Sequence, residues 1–475
     1  MAQAITWDEH PDLVLLANGE RRGICCLVVR NANAEQTQAL CLPGVFCVYR
    51  QGERTALLYA QDAGFAGVPA LEAAVSRLGM QAGLSGPFAL SASARGCMLK
   101  AALALQTGSV IAPGRAIYPM DEFGEAALLA AGSEALGAQG FSPADFCDAS
   151  LWQMARMDGE RETNYLDSLE AYLSCGMDLK RAAQRLGVHR NTLAYRMERV
   201  QALFGLDLKD VSRCFELLFS IWLWRSLPDA ERELPMDAPF SRRAAQEALW
   251  RHAERCGGET RAAGESFPCA LLCVGAASLP DDARTTLLHA LRDAAPDSAA
   301  FAFDEDVVLA AFPPGQLDAF GERAETVCAG AGCPMVLTQV FPSGRLDQHA
   351  RIGRMALCTA QGPAIRTQAL CSTLYFMAVE RRTSLAPFLC EDVIRVMDDD
   401  AQKGTALSRS LYAYLLHFRD MKRAAAQLGM HRNTMEYHMR KIDALIGSDL
   451  DGAKRFRMMC TYKMLALPDM GRYGV

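Results

Sequence analysis

The sequence predicts an α+β protein of several domains, in which an α/β module followed by an all-α module occurs twice in tandem. Three observations support this fold class. Residues 179–199 and 421–441 are identical at 12 of 21 aligned positions, and a similar order of strands and helices precedes each stretch. The chain of 475 residues is also too long for one ordinary domain. We therefore expect an internal duplication with an offset of 242 residues, measured from His189 to His431.

Short apolar runs predict the strands of the two α/β modules. In the first module we expect strands at 23–29, 45–49 and 55–59 and helices at 70–78 and 93–105. In the second we expect strands at 269–274, 299–303, 307–312 and 335–340 and helices at 281–292 and 346–360. The interval from Val29 to Val45 leaves little room for a first helix, so the first module should be shortened.

The two repeated stretches have the pattern of a helix-turn-helix. Ala182 and Ala183 are small enough to let two helices cross closely, and Gly187 can adopt positive φ at low cost, so a turn is expected there. Asn191 and Thr192 then favour the start of a second helix. In that helix an apolar stripe recurs at helical spacing and should be buried: Leu193, Met197, Val200 and Phe204.

The polar face of the second helix has the chemistry of a DNA-reading surface. Arginine can form paired hydrogen bonds with guanine and asparagine with adenine, while lysine and arginine hold phosphates. The N-terminal end of such a helix is the part that usually meets base edges in the major groove. The candidate DNA-binding residues are Lys180, Arg181, His189, Arg190, Asn191, Thr192, Tyr195, Arg196 and Arg199 in the first copy, and Lys422, Arg423, His431, Arg432, Asn433, Thr434, Tyr437, Arg440 and Lys441 in the second.

Two solvated helical hairpins are the alternative interpretation of these residues. A single Ala-Ala-x-x-Leu-Gly run is a common packing pattern and would not decide between the two. The same His-Arg-Asn-Thr tetrad follows the turn in both copies, and this repetition favours DNA contact.

These residues resemble the C-terminal DNA-binding domain of the PucR/CdaR family of bacterial transcriptional regulators, whose core is similar to the Fis-type helix-turn-helix. The likeness extends through Leu169–Leu173, Lys180–Ala183, His189–Leu193, Tyr195–Arg196 and Gly205–Leu208, and in the second copy through Leu411–Leu415, His431–Thr434, Tyr437 and Gly447–Leu450. The second copy departs from the family at His438, where arginine is usual, and at Glu436, which adds a negative charge to the groove-facing side.

The resemblance implies that each α/β module is a degenerate GGDEF-like domain and that the protein controls a catabolic or transport operon. The Gly-Gly-Asp/Glu-Glu-Phe turn of a cyclase is missing from both copies, which read Arg50–Arg54 and Phe303–Asp306 at the hairpin. The acidic residues 304–306 are more typical of a solvated turn than of a metal site. We expect no enzyme activity, no catalytic residue and no cofactor, and treat both modules as scaffolds for dimerisation or sensing.

The 17 cysteines are expected to remain buried thiols, because no export signal is evident and no histidine accompanies pairs such as Cys25–Cys26 or Cys269 with Cys273. We therefore expect no metal. No apolar run reaches the roughly 20 residues that a membrane span needs. The longest, Phe215 to Trp224, is interrupted by Glu216 and reads as a core or dimer-interface helix. These features predict a cytoplasmic protein without membrane contact.

The net charge of −6 is unevenly distributed. Residues 178–200 carry six basic against two acidic side chains, and residues 420–442 carry five against two. These local charges of +4 and +3 leave −13 for the rest of the chain. Such segregation would steer phosphate toward the two helix-turn-helix stretches.

We divide the chain into a shortened α/β module (1–120), a first helix-turn-helix domain (121–227), a linker with a helix (228–265), a second α/β module (266–365) and a second helix-turn-helix domain (366–475). The predicted function is a transcriptional regulator that reads an imperfect palindrome in double-stranded DNA, as an internal pseudo-dimer or a homodimer, under an unidentified small-molecule effector. Two alternatives remain open. The protein could be a nucleotide-sensing or signalling protein whose helical modules dimerise, or the second helix-turn-helix could have become an interaction surface.

Overall fold

The computed structural model describes residues 4–5, 24–60, 67–86, 94–232, 238–253, 266–295, 299–304, 306–359, 364–447, 450 and 452–467. Several sequence expectations lie outside these ranges: residues 23, 93 and 360 at the ends of expected elements, 233–237 and 254–265 of the linker, Glu305, and 448–449. No helix in the described ranges is long and apolar enough to cross a membrane.

The first α/β module is a mixed sheet with helices on both faces. Its elements are β1 (Ala4–Ile5), β2 (Ile24–Arg30), α1 (Ala34–Leu40), β3 (Val45–Gln51), β4 (Arg54–Ala60), α2 (Val68–Arg77), β5 (Ala82–Leu84), α3 (Ala94–Ile111), β6 (Ile117–Pro119) and α4 (Met120–Gly137). The strand order is β1-β3-β4-β2-β5-β6. Strand β2 is apolar from Cys25 to Val29 because both of its faces are covered there: Cys26 and Val28 pack with residues of α3, and Leu27 and Val29 with residues of α2.

Helices follow the first module. A 3₁₀ turn (Pro143–Phe146) leads into α5 (Ser150–Arg161), α6 (Tyr165–Ser174), α7 (Leu179–Leu186), α8 (Arg190–Phe204), α9 (Val211–Ser226), α10 (Asp229–Arg232) and α11 (Arg242–Ala253). Helix α9 contains the apolar run that Glu216 interrupts, and it is a core helix. The Glu216 carboxylate is 1% exposed and accepts hydrogen bonds from Ser372 N at 2.7 Å and Ser372 Oγ at 2.9 Å. These hydrogen bonds, together with an ion pair to Lys463 Nζ at 2.8 Å, satisfy the buried charge.

The second α/β module repeats the first. It comprises β7 (Pro268–Gly275), α12 (Asp281–Ala294), β8 (Ala300–Asp304), β9 (Val307–Phe312), α13 (Leu317–Ala331), β10 (Met335–Leu337), β11 (Phe341–Pro342), α14 (Leu346–Cys358), β12 (Ala364–Arg366) and α15 (Cys371–Glu380). Its main path, β8-β9-β7-β10-β12, matches β3-β4-β2-β5-β6 strand for strand. In both paths the last pair is parallel and the other pairs are antiparallel. The two helices that follow the matching strands β2 and β7 differ in length: α1 has 7 residues and α12 has 14.

Helix α11, which the sequence places in a linker, packs against the edge of the second sheet. Ala245 and Leu249 are buried there. The Gln246 side chain donates to Phe301 O at 2.6 Å and accepts from Phe301 N at 3.1 Å, so it satisfies edge-strand groups in the way a neighbouring strand would. The chain ends in a second helical module: α16 (Glu391–Lys403), α17 (Leu407–Leu416), α18 (Met421–Gln427), α19 (Arg432–Ile446) and α20 (Gly452–Leu465).

The chain folds into two compact units, and each combines segments from both halves of the sequence. The first unit contains residues 1–134, 383–415 and 420–462, and the second contains residues 135–382, 416–419 and 463–475. The first α/β module therefore packs with the second helix-turn-helix, and the first helix-turn-helix packs with the second α/β module.

Buried contacts hold the exchanged partners together inside the first unit. Lys100 on α3 forms an ion pair with Glu391 on α16 and donates to Leu389 O at 3.3 Å. Phe388 packs on a small cluster of Ala104, Met120 and Ala127. Removing the lysine would leave the carboxylate without this cation.

Buried polar groups join the two halves of the chain inside the second unit. Gln339 accepts from Ala149 N at 2.9 Å and donates to Cys147 O at 2.5 Å. Arg345 forms a two-pronged ion pair with Asp145, which is 6% exposed. Burial raises the pKa of Asp145, and the hydrogen bond and charge of Arg345 oppose that rise. Each of these contacts joins residues about 200 positions apart in the sequence.

All 16 cysteines in the described ranges are free thiols, and most are buried. Burial raises the pKa of Cys269, which keeps its thiol protonated at neutral pH. Among the described residues, no group of three or more His, Cys, Asp or Glu side chains is arranged to hold a metal ion.

Candidate nucleic-acid interface

The first helix of each helix-turn-helix begins at an aspartate cap. Asp178 Oδ1 accepts from Lys180 N at 2.8 Å and from Arg181 N at 3.1 Å. The backbone hydrogen bond from Arg181 is the largest of the effects that lower the pKa of Asp178. Asp420 caps α18 in the same way, at 2.9 and 3.0 Å. The cap fixes where the helix that carries the two adjacent basic residues begins.

The turn has the geometry that the sequence predicts. Gly187 has φ of +66° and ends α7, and Gly429 has φ of +63° at the equivalent position. Ala182 and Ala183 are buried where α7 meets its neighbours. Small residues on the helices and a glycine in the turn therefore define the hairpin in both copies.

The second helix starts earlier than the sequence suggested. Asn191 and Thr192 lie within its first turn, and His189 is the N-cap: its Nδ1 accepts from Asn191 N at 3.2 Å. His431 caps α19 with the same 3.2 Å bond from Asn433 N. In a neutral imidazole one ring nitrogen accepts and the other carries the proton. Because Nδ1 accepts here, Nε2 carries the proton in the neutral ring and remains a hydrogen-bond donor in each cap.

The predicted apolar stripe is buried. Leu193, Met197 and Val200 are at most 4% exposed, and Phe204 is half-buried. The second copy buries Met435, Met439, Ile442 and Ile446 at the corresponding positions. With this face packed inward, the residues between the stripe positions point to solvent.

Seventeen of the eighteen candidate residues are solvent-exposed. They are Lys180, Arg181, His189, Arg190, Asn191, Thr192, Tyr195 and Arg199 in the first copy, and Lys422, Arg423, His431, Arg432, Asn433, Thr434, Tyr437, Arg440 and Lys441 in the second. The two tyrosines are 61% and 51% exposed, so their rings and hydroxyls are open to a ligand.

Arg196 is the exception, because it is half-buried and donates from Nη1 to Ser168 Oγ at 3.0 Å. The sequence suggested that this guanidinium contacts phosphate. In the structure it forms a hydrogen bond with a side chain of α6. In the second copy His438 Nδ1 lies 2.7 Å from Ser410 Oγ, the equivalent hydroxyl. The second copy, which has histidine in place of arginine, therefore keeps a side-chain hydrogen bond between the equivalent helices, α17 and α19.

A family model, the PucR C-terminal helix-turn-helix domain, matches residues 165–223 and again residues 407–463. Both matches cover the hairpin, its aspartate cap and the helices that pack behind it. The chain therefore contains two PucR-type helix-turn-helix domains.

Two Bacillus subtilis regulators are similar to this chain over short segments. The DNA-binding transcriptional activator AdeR is 30% identical over 74 residues, 16% of this chain. The Purine catabolism regulatory protein is 32% identical over 80 residues, 17% of this chain. The matched segments span 18% and 15% of the two relatives' own lengths.

A solved structure, the regulator of polyketide synthase expression from Bifidobacterium adolescentis, aligns with 53% of this chain and 97% of its own. Its sequence identity is 13% and its TM-score is 0.23.

The two PucR-type domains differ in the charge beside the arginine that begins the second helix, Arg190 in the first domain and Arg432 in the second. In the second, Arg432 Nε lies 2.9 Å from Glu436 Oε1, and Lys441 Nζ lies 4.6 Å from the centre of the Tyr437 ring. Ala194 stands where Glu436 does in the second domain. Among the described residues, Arg190 has no ion-pair partner, so its guanidinium is available to a ligand.

Sequence reasoning missed the residues that position this surface. Asp178 and Asp420 stand directly before the repeated basic pairs, and an aspartate before a helical pattern is a recognised cap signal. Ser168 and Ser410 lie 242 residues apart, the repeat offset. The aspartates could have been found from the sequence, whereas the serine contacts needed the packing of α6 against α8.

Proposed function

We propose that this protein is a sequence-specific transcriptional regulator whose two helix-turn-helix domains read the two halves of one imperfect palindrome. The observation that carries the proposal is that α8 and α19 present the same exposed His-Arg-Asn-Thr tetrad at identically capped N-terminal ends. We call these two domains the first reader (residues 165–223) and the second reader (407–463).

The exposed groups fit double-stranded DNA. The arginine fork and the asparagine amide match base edges in the major groove, and the helix N-terminus with Lys180 and Arg181 suits phosphate. In the second reader the same roles fall to Arg432, Asn433 and Lys422. Because Glu436 partly neutralises Arg432, the half-sites should differ in strength and the first reader should dominate.

The regulated genes are proposed from the relatives alone. Their names describe a transcriptional activator and a regulator of purine catabolism, which favours a catabolic operon as the target.

For the α/β modules we propose a non-catalytic scaffolding role, since the hairpin turns carry Gly52-Glu53 and an acidic 304–306 run in place of a paired-glycine motif. Incubation with nucleoside triphosphates and Mg²⁺ should give no turnover.

The test begins with selection of bound sites from random DNA, followed by anisotropy titrations on the selected sequence. Arg190→Ala and Asn191→Ala should each cost about 1 to 3 kcal/mol and relax base preference at one position. Arg323→Ala, which removes an exposed arginine from α13, is the matched control and should change nothing. If both reader variants bind selected and random DNA as the wild type does, the proposal is wrong.

Lys180→Ala separates phosphate contact from base reading. Its loss should weaken binding to all sequences equally and reduce the slope of log affinity against log salt by about one unit. Measuring this slope on the selected site and on a scrambled site gives both comparisons. A change confined to the selected site would contradict the phosphate role.

A further inference from the structure

The second helices of the two readers, α8 and α19, are built and held alike. Each has 15 residues, and each is capped by a histidine that accepts a backbone hydrogen bond at 3.2 Å. Each also forms a side-chain hydrogen bond with an equivalent serine of the helix packed behind it, Ser168 or Ser410. Side chains at equivalent positions of the two helices therefore occupy equivalent places in their readers.

Each of these helices turns a polar stripe away from its buried stripe. The polar stripe lies two residues before each buried position, and a helix turns about 100° per residue, so the two stripes are on opposite sides. Its members are Asn191, Tyr195, Glu198 and Ala202 in α8 and Asn433, Tyr437, Arg440 and Ala444 in α19, and all eight are exposed. The two stripes are identical except at one position, where the first reader has Glu198 and the second has Arg440.

The other differences between the two helices lie outside this stripe. Three exchange one apolar residue for another in the buried stripe. The position of Arg196 forms the internal hydrogen bond to serine in both helices, and the position of Arg199 is a cation in both. The position of Ala194 governs how free the neighbouring arginine is, as described above. Gln201 and its counterpart lie in the last turn, away from the N-terminal end that enters a groove.

Glu198 and Arg440 would meet DNA with opposite charges. Both are exposed, and neither has an ion-pair partner among the residues that the structure describes. A carboxylate in the major groove accepts from the N4 amino group of cytosine and is repelled by the O6 and N7 acceptors of guanine. A guanidinium has the reverse preference, because it donates to O6 and N7 of guanine. The two side chains therefore favour opposite orientations of the same C·G base pair.

We propose that Glu198 and Arg440 specify the difference between the two half-sites. At one equivalent base pair, the first reader selects cytosine and the second selects guanine. The bases that face the asparagine and the tyrosine of the stripe are shared, because both readers have these residues. This inference rests on the proposed DNA-binding function and deepens it, since it names the base pair at which the palindrome is imperfect.

Selection of bound sites from random DNA by the full-length chain tests the inference. The wild type should select two inverted half-sites that differ at one equivalent base pair, with cytosine in one and guanine in the other. Glu198→Arg should place guanine in both half-sites, and Arg440→Glu should place cytosine in both. In anisotropy titrations each exchange should reverse the preference between the two versions of its half-site, from about tenfold one way to about tenfold the other.

Gln201→Asp is the matched control. It also places the second reader's residue in α8 and changes one charge, but in the last turn of the helix, so the selected sequence should not change. Thermal denaturation checks that each variant is folded.

Two results would overturn the inference and leave sequence-specific DNA reading intact. One is a wild-type site whose halves agree at this base pair, or whose difference persists in folded Glu198→Arg. The other is an Arg440→Glu variant that binds all sequences more weakly to the same extent, which would assign Arg440 to phosphate. If the wild type selects no site at all, the proposed function itself fails.

Discussion

Arg190 and Arg432 occupy the same place in the two readers but differ in the charge beside them. Glu436 lies one helical turn from Arg432, with 2.9 Å between Nε and Oε1, whereas Ala194 holds that place in the first reader. An exposed pair of this kind contributes about 0.2 to 1 kcal/mol to stability. Its larger consequence is for DNA, because the carboxylate competes with a base or phosphate for the Arg432 guanidinium.

We therefore expect Glu436→Ala to tighten binding of the second half-site and the reciprocal Ala194→Glu to weaken binding of the first. Anisotropy titrations with duplexes in which one half-site is scrambled measure each reader separately. The two substitutions form a matched pair, because both change one charge at the same helical position. Loss of affinity in Glu436→Ala would show that the carboxylate itself contributes to recognition.

At the scale of the helix, the sequence pattern indicates some of the capping residues but not all of them. The aspartate caps follow a known preference, but a histidine N-cap is outside the usual set of Ser, Thr, Asp and Asn, which explains why the start of α8 was placed one to two residues late. The three-residue strands Ile117–Pro119 and Ala364–Arg366 were not predicted, because alternation cannot be recognised over so short a run.

The Asp178 cap predicts a dependence of stability on acid. Its pKa is lowered in the folded state, so its stabilising effect is present above the unfolded-state pKa and is lost as the pH falls through the lower folded-state value. The difference in unfolding free energy between wild type and Asp178→Ala should be constant near neutral pH and shrink in acid. Urea denaturation at a series of pH values measures it, with Asp178→Asn as the control that keeps an uncharged cap. A difference that grows in acid would contradict the cap.

Two properties of the whole molecule differ in how far the sequence predicts them. The duplication was visible in the sequence, and the two sheets share one strand order. The exchange of partners between the halves was not visible, because residues such as Gln339, Asp145 and Lys100 carry no local signal of a contact about 200 or more positions away. A buried amide or ion pair is recognised as such only when its partner's position is known.

The exchange predicts that the two halves of the chain need each other. Each compact unit takes residues from both sides of residue 235, so residues 1–235 and 236–475 expressed separately should each lack the buried contacts that join the halves within both units. Co-expressed with a tag on one half only, they should purify together as a one-to-one pair that melts in a single transition.

Gln339→Leu tests whether the exchanged contacts are what joins the halves. It leaves Ala149 N and Cys147 O buried without this partner, at a cost of about 1 to 3 kcal/mol for each group. The yield of the co-purified pair should fall, while Gln106→Leu, at an exposed position of α3, should leave it unchanged. If the two halves fold and purify independently of each other, each α/β module is packed with its own following helices, and the exchanged arrangement is wrong.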